Sequence, residues 1–506
     1  MSIPLFNWLR NRAAGVLLHP TSLPGSTGIG TFGREARHFI DFMVEAGLKY
    51  WQVCPLGPTG MGDSPYQCFS AFAGNPYFID LETLVAQHYL EDSDLVELRR
   101  LPAERVGYGA QWILRRPILK KAYSAFIANG SRAEKASFAE FKRDQKDWLD
   151  AYTRFTALKR KYDESSWQLW PAGPTGPRFY SKARKSGIKA ELAEEIDAQA
   201  WFQFEFFSQW LELKSYANSR GIQIFGDIPI FVAMDSSDVW THPALFKLDA
   251  DLRPIAVAGV PPDYFAVEGQ LWGNPLYDWD RHHETNYEWW LSRLRASFKL
   301  FDVVRIDHFR GFDEYCEIPA NAVNATGYKW VKGPGLALFE AIQKEFPDAK
   351  LVAEDLGIIT DSVRALVEAT GVPGMKVLQF GFEGATEYLP HNLIPNSVLY
   401  PGTHDNDTAW GWFSKQSEPV RDFFRQYLRV PGDAVPWDMV RVGYAAPSCL
   451  FIVPMQDLLS LGSESRMNTP GVAVGNWQWR FTREQLDQLW SESAGYLRLL
   501  AKLYER

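Results

Sequence analysis

An arginine and an aspartate lie two residues apart in an otherwise apolar run, Phe301-Asp-Val-Val-Arg-Ile-Asp-His-Phe-Arg-Gly-Phe312. The run reads as a buried strand with a polar end. On a period of two, Val303, Arg305 and Asp307 share one face, and Val304, Ile306 and His308 share the other. A parallel strand covered on both faces is almost all aliphatic. Charges in such a place are costly unless they are paired. Two arrangements satisfy the pattern. One is a structural ion pair inside a large core. The other is a carboxylate at the carboxyl end of a barrel strand, kept ionised by the guanidinium one layer below.

The rest of the chain favours a barrel. Short apolar runs closed by turn residues occur at 14–19, 50–55, 222–227, 350–357, 376–380, 397–407 and 449–454. With the opening run they make eight strands separated by helical patterns. The expected fold is α/β, a (β/α)8 barrel with helical and loop insertions between strands. The alternative is an open doubly wound sheet, which the absence of a Gly-rich phosphate loop after the first strand disfavours. We expect a single catalytic unit over 1–506. Residues 60–200 read as a mostly helical insertion after strand two. Residues 234–300 read as a loop-rich insertion after strand three that covers the cleft.

Composition narrows the function classes. The net charge of −8 and the lack of a basic block argue against nucleic acid. Cys54, Cys68, Cys316 and Cys449 are dispersed without a C-x-x-C pair, as reduced cytosolic thiols are. No signal peptide and no membrane-length apolar run is read, so a cytoplasmic location is expected. Aromatic residues make up 15% of the chain, enough to serve both a core and the flat apolar faces of a ligand such as a sugar ring. The nine histidines show no metal-ligand spacing.

Four expected strand ends carry carboxylates: Asp227, Asp307, Glu354 and Asp405. Singly, each could be a cap or turn residue. In a barrel all four converge on one face. Glycoside chemistry needs an ionised nucleophile and a protonated acid, about 5–5.5 Å apart in retaining enzymes. Asp307, above Arg305, suits the nucleophile. Glu354, on an aliphatic strand, suits the acid because desolvation raises its pKa.

The motifs then accumulate in order: His19-Pro-Thr-Ser-Leu-Pro24, Gly62-Asp-Ser-Pro-Tyr66, Gly226-Asp-Ile-Pro229, Gly259-Val-Pro-Pro-Asp-Tyr-Phe265, Trp272-Gly-Asn-Pro275, Arg305-Ile-Asp-His308, Ala353-Glu-Asp-Leu-Gly357 and Gly402-Thr-His-Asp-Asn-Asp407. With them the chain resembles the 4-α-glucanotransferases of the amylomaltase (disproportionating enzyme) family, relatives of the α-amylases. The resemblance implies Asp307 as nucleophile, Glu354 as acid/base and Asp405 as transition-state stabiliser. It implies that Asp227, Arg305, His308 and His404 line the subsite of the attacked sugar. Ser64 and Tyr66 bind substrate beside them, Tyr66 by stacking. The loop around Asp263, Gln270 and Trp272 covers the acceptor side. Met61 stands where some relatives carry an aromatic residue. The implied partners are malto-oligosaccharides and α-1,4-glucans, with no nucleic acid, membrane, metal or cofactor, for a monomer or weak homo-oligomer. Two rivals stay open: an α-glucan hydrolase of the same barrel type, and a non-catalytic glucan-binding barrel.

Overall fold

The computed structural model describes residues 4–60, 62–172, 178, 180, 191–262 and 268–506. Met61 and Asp263 lie outside the described residues. Eight parallel strands close into a barrel: β1 (Ala13–Leu17), β2 (Tyr50–Gln52), β3 (Gln223–Ile228), β6 (Val303–Ile306), β9 (Leu351–Ala353), β10 (Gly374–Val377), β11 (Ser397–Tyr400) and β12 (Leu450–Pro454). Around the ring they run in chain order, and β12 pairs back onto β1. Four further strands form an antiparallel sheet beside the barrel: β4 (Ala256–Val260), β5 (Gln270–Pro275), β7 (Glu314–Pro319) and β8 (Lys329–Lys332), in the order β5-β4-β7-β8.

Side-chain alternation divides each barrel strand. Phe225, Val303, Val352, Met375, Val398 and Ile452 pack together inside the ring. Ile224, Val304, Ile306, Leu351, Leu399 and Phe451 pack outward into the main core. Fully burying such a side chain contributes about 1.5–3 kcal/mol each. The outward layer is tight: a Cβ on Gly226 would come within 2.1 Å of the Phe301 ring. Glycine there lets β3 lie close enough to β6 to pair Asp227 with Arg305 in register.

Between β2 and β3 run the helices Leu81–Ala86, Tyr108–Asn129, Arg132–Asp144 and Lys146–Lys161, followed by Ala193–Ser219, which buries Trp201, Phe206 and Trp210. The stretch 234–300 is more regular than its turn-rich composition suggests. It holds β4, β5 and the helices Ser237–Thr241, Trp279–Glu284 and Glu288–Leu300.

Three local expectations need correction. The run 376–380 is not one strand: β10 ends at Val377 and Leu378–Phe382 is helical. A five-residue apolar run carries no period long enough to separate the two states. The period of two also stops at Ile306, and His308 is left-handed, with φ 53° and ψ 49°. Likewise β11 ends at Tyr400, so Asp405 stands on a turn beyond the strand rather than on it.

Candidate active site

At the carboxyl ends of β3 and β6 one guanidinium holds two carboxylates. Arg305 Nη1 lies 2.5 Å from Asp227 Oδ2, and Arg305 Nη2 lies 2.8 Å from Asp307 Oδ1. The β3–β6 register makes the first pair and strand alternation makes the second. The two carboxylates differ in access. The Asp227 side chain is 1% exposed, whereas that of Asp307 is 28% exposed. Asp307 is thus the more open of the two, and Asp227 is closed in beneath its neighbours.

Tyr66 joins this group from the loop after β2. Its turn is set by Ser64, whose Oγ accepts a 3.3 Å bond from the Tyr66 amide. Tyr66 Oη donates to Asp227 Oδ2 at 2.8 Å and lies 2.9 Å from His404 Nε2. With the phenolic proton on Asp227, His404 Nε2–H is the donor in the second bond. The two rings stack, with centroids 5.3 Å apart at 15°.

Glu354 follows β9 directly. Its Oε2 accepts from the His308 amide at 2.8 Å and its Oε1 from the Leu356 amide at 3.0 Å. His308, whose amide makes the first of these bonds, is left-handed and turns the chain away from the strand. Burial pushes Glu354 up to about 7, with Asp307 adding and Arg305 opposing. Burial also pushes Asp307 up, to about 6, against the pull of Arg305. Desolvation therefore outweighs the guanidinium, contrary to the simple expectation for Asp307. The two groups titrate as an interacting pair, Glu354 raised by the charge of Asp307 as well as by burial.

Asp405 is fixed from its own turn and from the segment after β12. Asn468 Nδ2 donates to Asp405 Oδ1 at 2.6 Å, Arg466 donates to the Asp405 carbonyl, and His404 Nε2 lies 3.4 Å from Oδ2. On the opposite side, Trp272 of β5 meets the His308 ring edge to face at 4.9 Å and donates to Gln270 Oε1 at 3.2 Å. Burial, helped by Arg310, lowers His308 to about 3, so its ring is neutral at ordinary pH.

The structure thus gathers Tyr66, Asp227, Arg305, Asp307, Glu354, His404 and Asp405 at the barrel mouth, and brings Trp272 and Gln270 to its rim through His308. Sequence reasoning missed Trp477, Asn468 and Arg466. Trp477 is 2% exposed and packs on both Tyr66 and His404, at 5.8 and 5.7 Å. Its signal was slight: an asparagine, Asn476, closes the turn back to Thr469. It also missed Cys54, a buried thiol beside Tyr66 whose pKa rises through burial and the nearby Asp227 and Asp405. Among the described residues no cluster of three metal-ligating side chains occurs.

The family profile described as 4-alpha-glucanotransferase matches residues 18–486. The 4-alpha-glucanotransferase of Thermus thermophilus is 47% identical over 505 residues, covering 98% of this chain and 99% of the relative. That of Streptococcus pneumoniae is 45% identical, covering 94% and 95%. The structure of the amylomaltase from Streptococcus agalactiae in complex with acarbose superposes with a TM-score of 0.93 at 40% identity, covering 98% of this chain and 99% of that one. With a carboxyl set at its barrel mouth and this likeness along nearly its whole length, the chain belongs to the 4-alpha-glucanotransferase family.

Proposed function

We propose that Asp307 attacks the anomeric carbon of an α-1,4-glucan while Glu354 protonates the departing 4-oxygen. The C1–O bond to the leaving chain breaks and a C1–Oδ bond to Asp307 forms. An incoming glucan then gives its 4-hydroxyl proton to Glu354 and its oxygen displaces Asp307, restoring the α linkage. The observation that carries this reading is the unlike pair, an accessible aspartate held by Arg305 beside a glutamate set on two backbone amides. Asp405 stabilises the positive charge that develops at C1. Tyr66, Asp227, Arg305, His308 and His404 shape the donor sugar's subsite, with Ser64 setting the Tyr66 turn. Gln270 and Trp272 meet the acceptor, and Asp263 is assigned to that side from its motif. The insertions 60–200 and 234–300 wall the cleft.

Transfer and hydrolysis share one covalent intermediate, so the outcome rests on which acceptor reaches C1. A well-oriented acceptor gains about 7–11 kcal/mol in effective concentration, which exceeds the molar advantage of water. Trp272 offers an apolar face for that orientation. The substrates are malto-oligosaccharides of the kind derived from starch or glycogen. Four thiols without a disulfide support a reducing, cytoplasmic location. Incubation with maltotriose is the test. Glucose together with longer oligosaccharides, and few new reducing ends, is the expected result. Trp272→Ala should raise the ratio of hydrolysis to transfer. Steadily rising reducing ends with only shortened products would establish the hydrolase instead.

A further inference from the structure

The turn after β6 carries a second arginine that the chemistry above does not use. Arg310 is 5% exposed, in the 3-10 turn Phe309–Phe312. Its Nη1 donates to the Ile358 carbonyl at 2.6 Å. Its guanidinium lies flat over Trp330 of β8, 3.9 Å from the ring centroid. No salt bridge to Arg310 occurs among the described residues, although Asp313 and Glu314 are close enough to act on it electrostatically. A buried cation held by a carbonyl and an aromatic face is expensive to keep. Arginine's planar fork suits those two partners together, which a lysine ammonium does not.

What Arg310 grips is the loop that carries Glu354. That loop turns at Gly357, with φ 83°, between Leu356, whose amide bonds Glu354 Oε1, and Ile358, whose carbonyl takes Arg310. Two more bonds lace the same segments: the Phe309 amide to the Glu354 carbonyl at 3.0 Å, and Ser362 Oγ to Asp313 Oδ2 at 2.6 Å. Glu354 is thus placed by the His308 and Leu356 amides, and the turn that follows Leu356 is held by Arg310 at the Ile358 carbonyl. Trp330 ties the arginine to the antiparallel sheet whose far edge, β5, bears Gln270 and Trp272.

We propose that Arg310 is a positioning residue for the acid/base: by bracing the Gly357 turn between Ile358 and Trp330, it keeps the Leu356 amide on Glu354 and so tunes that group's proton affinity. The proposal rests on Glu354 being the acid/base. The ionised form of Glu354 benefits from both amides and from nearby positive charge. The charged groups that face it are Asp307 and Arg305 on the β6 side, and the His308 amide comes from the turn, its ring neutral. Asp355 faces Lys376 instead, and Tyr388 stands behind them. Loss of Arg310 loosens the turn that carries the Leu356 amide donor, and this favours the protonated carboxyl group. The alkaline limb of the rate profile, where Glu354 loses its proton, therefore moves to higher pH.

Arg310→Met, close in shape and uncharged, is the primary test, read on two donors. Maltotriose needs a proton on its leaving oxygen, whereas α-maltotriosyl fluoride releases fluoride without one. The alkaline limb with maltotriose should move up by about half a pH unit, and the rate at its optimum should fall about tenfold, as loss of an orienting contact does. First-turnover fluoride release should stay within about twofold of wild type. Trp330→Leu, on a half-buried edge strand, should move the limb the same way by a smaller amount, and it decides alone if Arg310→Met does not fold. A limb that is unmoved or lowered, or an equal loss on both donors, overturns the proposal. Glu354→Gln run in parallel separates the two failures. If it loses maltotriose turnover yet keeps fluoride release while the arginine variant leaves the limb in place, only the role of Arg310 falls. If it loses both equally, the assignment of Glu354 falls.

Discussion

At the scale of single residues, burial raises the pKa of both carboxyl groups, and the proposed mechanism needs them in opposite states. With Asp307 as nucleophile it must be ionised, so the rate falls as pH drops through about 6. With Glu354 as acid it must be protonated, so the rate falls as pH rises through about 7. The apparent limits belong to the interacting pair, and a narrow bell between them is the expected profile for maltotriose. Glu354→Gln should remove the alkaline limb. Asp307→Asn should lower turnover on the order of 10⁴-fold or more while leaving the melting temperature near wild type, since Arg305 keeps Asp227. Near-normal activity in that variant, or a covalent glycosyl adduct trapped on another residue, would contradict the assignment. Asn468 is the finer probe. It donates to Asp405 Oδ1 at 2.6 Å, and hydrogen bonds to charged groups contribute about 1.5–3 kcal/mol. Asn468→Ala should cut kcat about ten- to a hundredfold with KM little changed. A rise in KM alone would show that Asn468 binds sugar rather than holding the carboxylate.

At the scale of elements, the loop behind each barrel strand is fixed by polar groups that the strand pattern does not announce. The short helix Met455–Leu458 after β12 supplies Asp457, which is fully buried and accepts a 2.7 Å bond from the Ala409 amide at the start of the helix Ala409–Lys415. Its Oδ2 has no hydrogen-bond partner. Burial raises its pKa to about 7, against an unfolded value of about 3.9. Between those values the folded protein binds more protons than the unfolded chain, so stability declines as pH rises from about 4 through 7. Asp457→Asn keeps an acceptor for Ala409 and removes the titration. Its melting temperature should vary less with pH across that window than that of wild type, and equal slopes would exclude the group as a source. The barrel strands were legible in the sequence as short apolar runs because burial on both faces imposes them. Asp457 was not, since a lone aspartate in an apolar helix shows its partner only once β11 and β12 lie side by side.

At the scale of the whole molecule, the ring must close where β1 meets β12, and arginines hold that seam. Arg506 donates to the carbonyls of Ala13, Gly443, Tyr444, Ala446, Ser448 and Cys449. Arg12 donates to Tyr444, Ala446 and the Tyr504 carbonyl at the end of the helix Arg483–Leu503. Burial lowers Arg506 to about 9, so it remains charged at neutral pH. Arg506→Ala leaves several carbonyls without donors. It should cost about 2–4 kcal/mol of stability, read as a lower denaturant midpoint, with maltotriose turnover at 25 °C unchanged. A parallel loss of activity without loss of stability would show that the seam communicates with the mouth, where no contact of Arg506 lies.

The sequence by itself determined what repeats or is local. Apolar runs and strand alternation specified eight strands, and the carboxylates beyond them specified where chemistry could sit. Arg305 and Asp307 were recognisable as partners because residues two apart on an extended chain share a face. Tertiary structure alone decided the rest. His308 leaves the strand geometry while its amide meets Glu354, Trp477 crosses from the chain's last quarter onto Tyr66 and His404, and Arg310 finds Ile358 and Trp330. These contacts join turns, whose backbone has no period for a sequence to display, across separations that only the closed ring makes short.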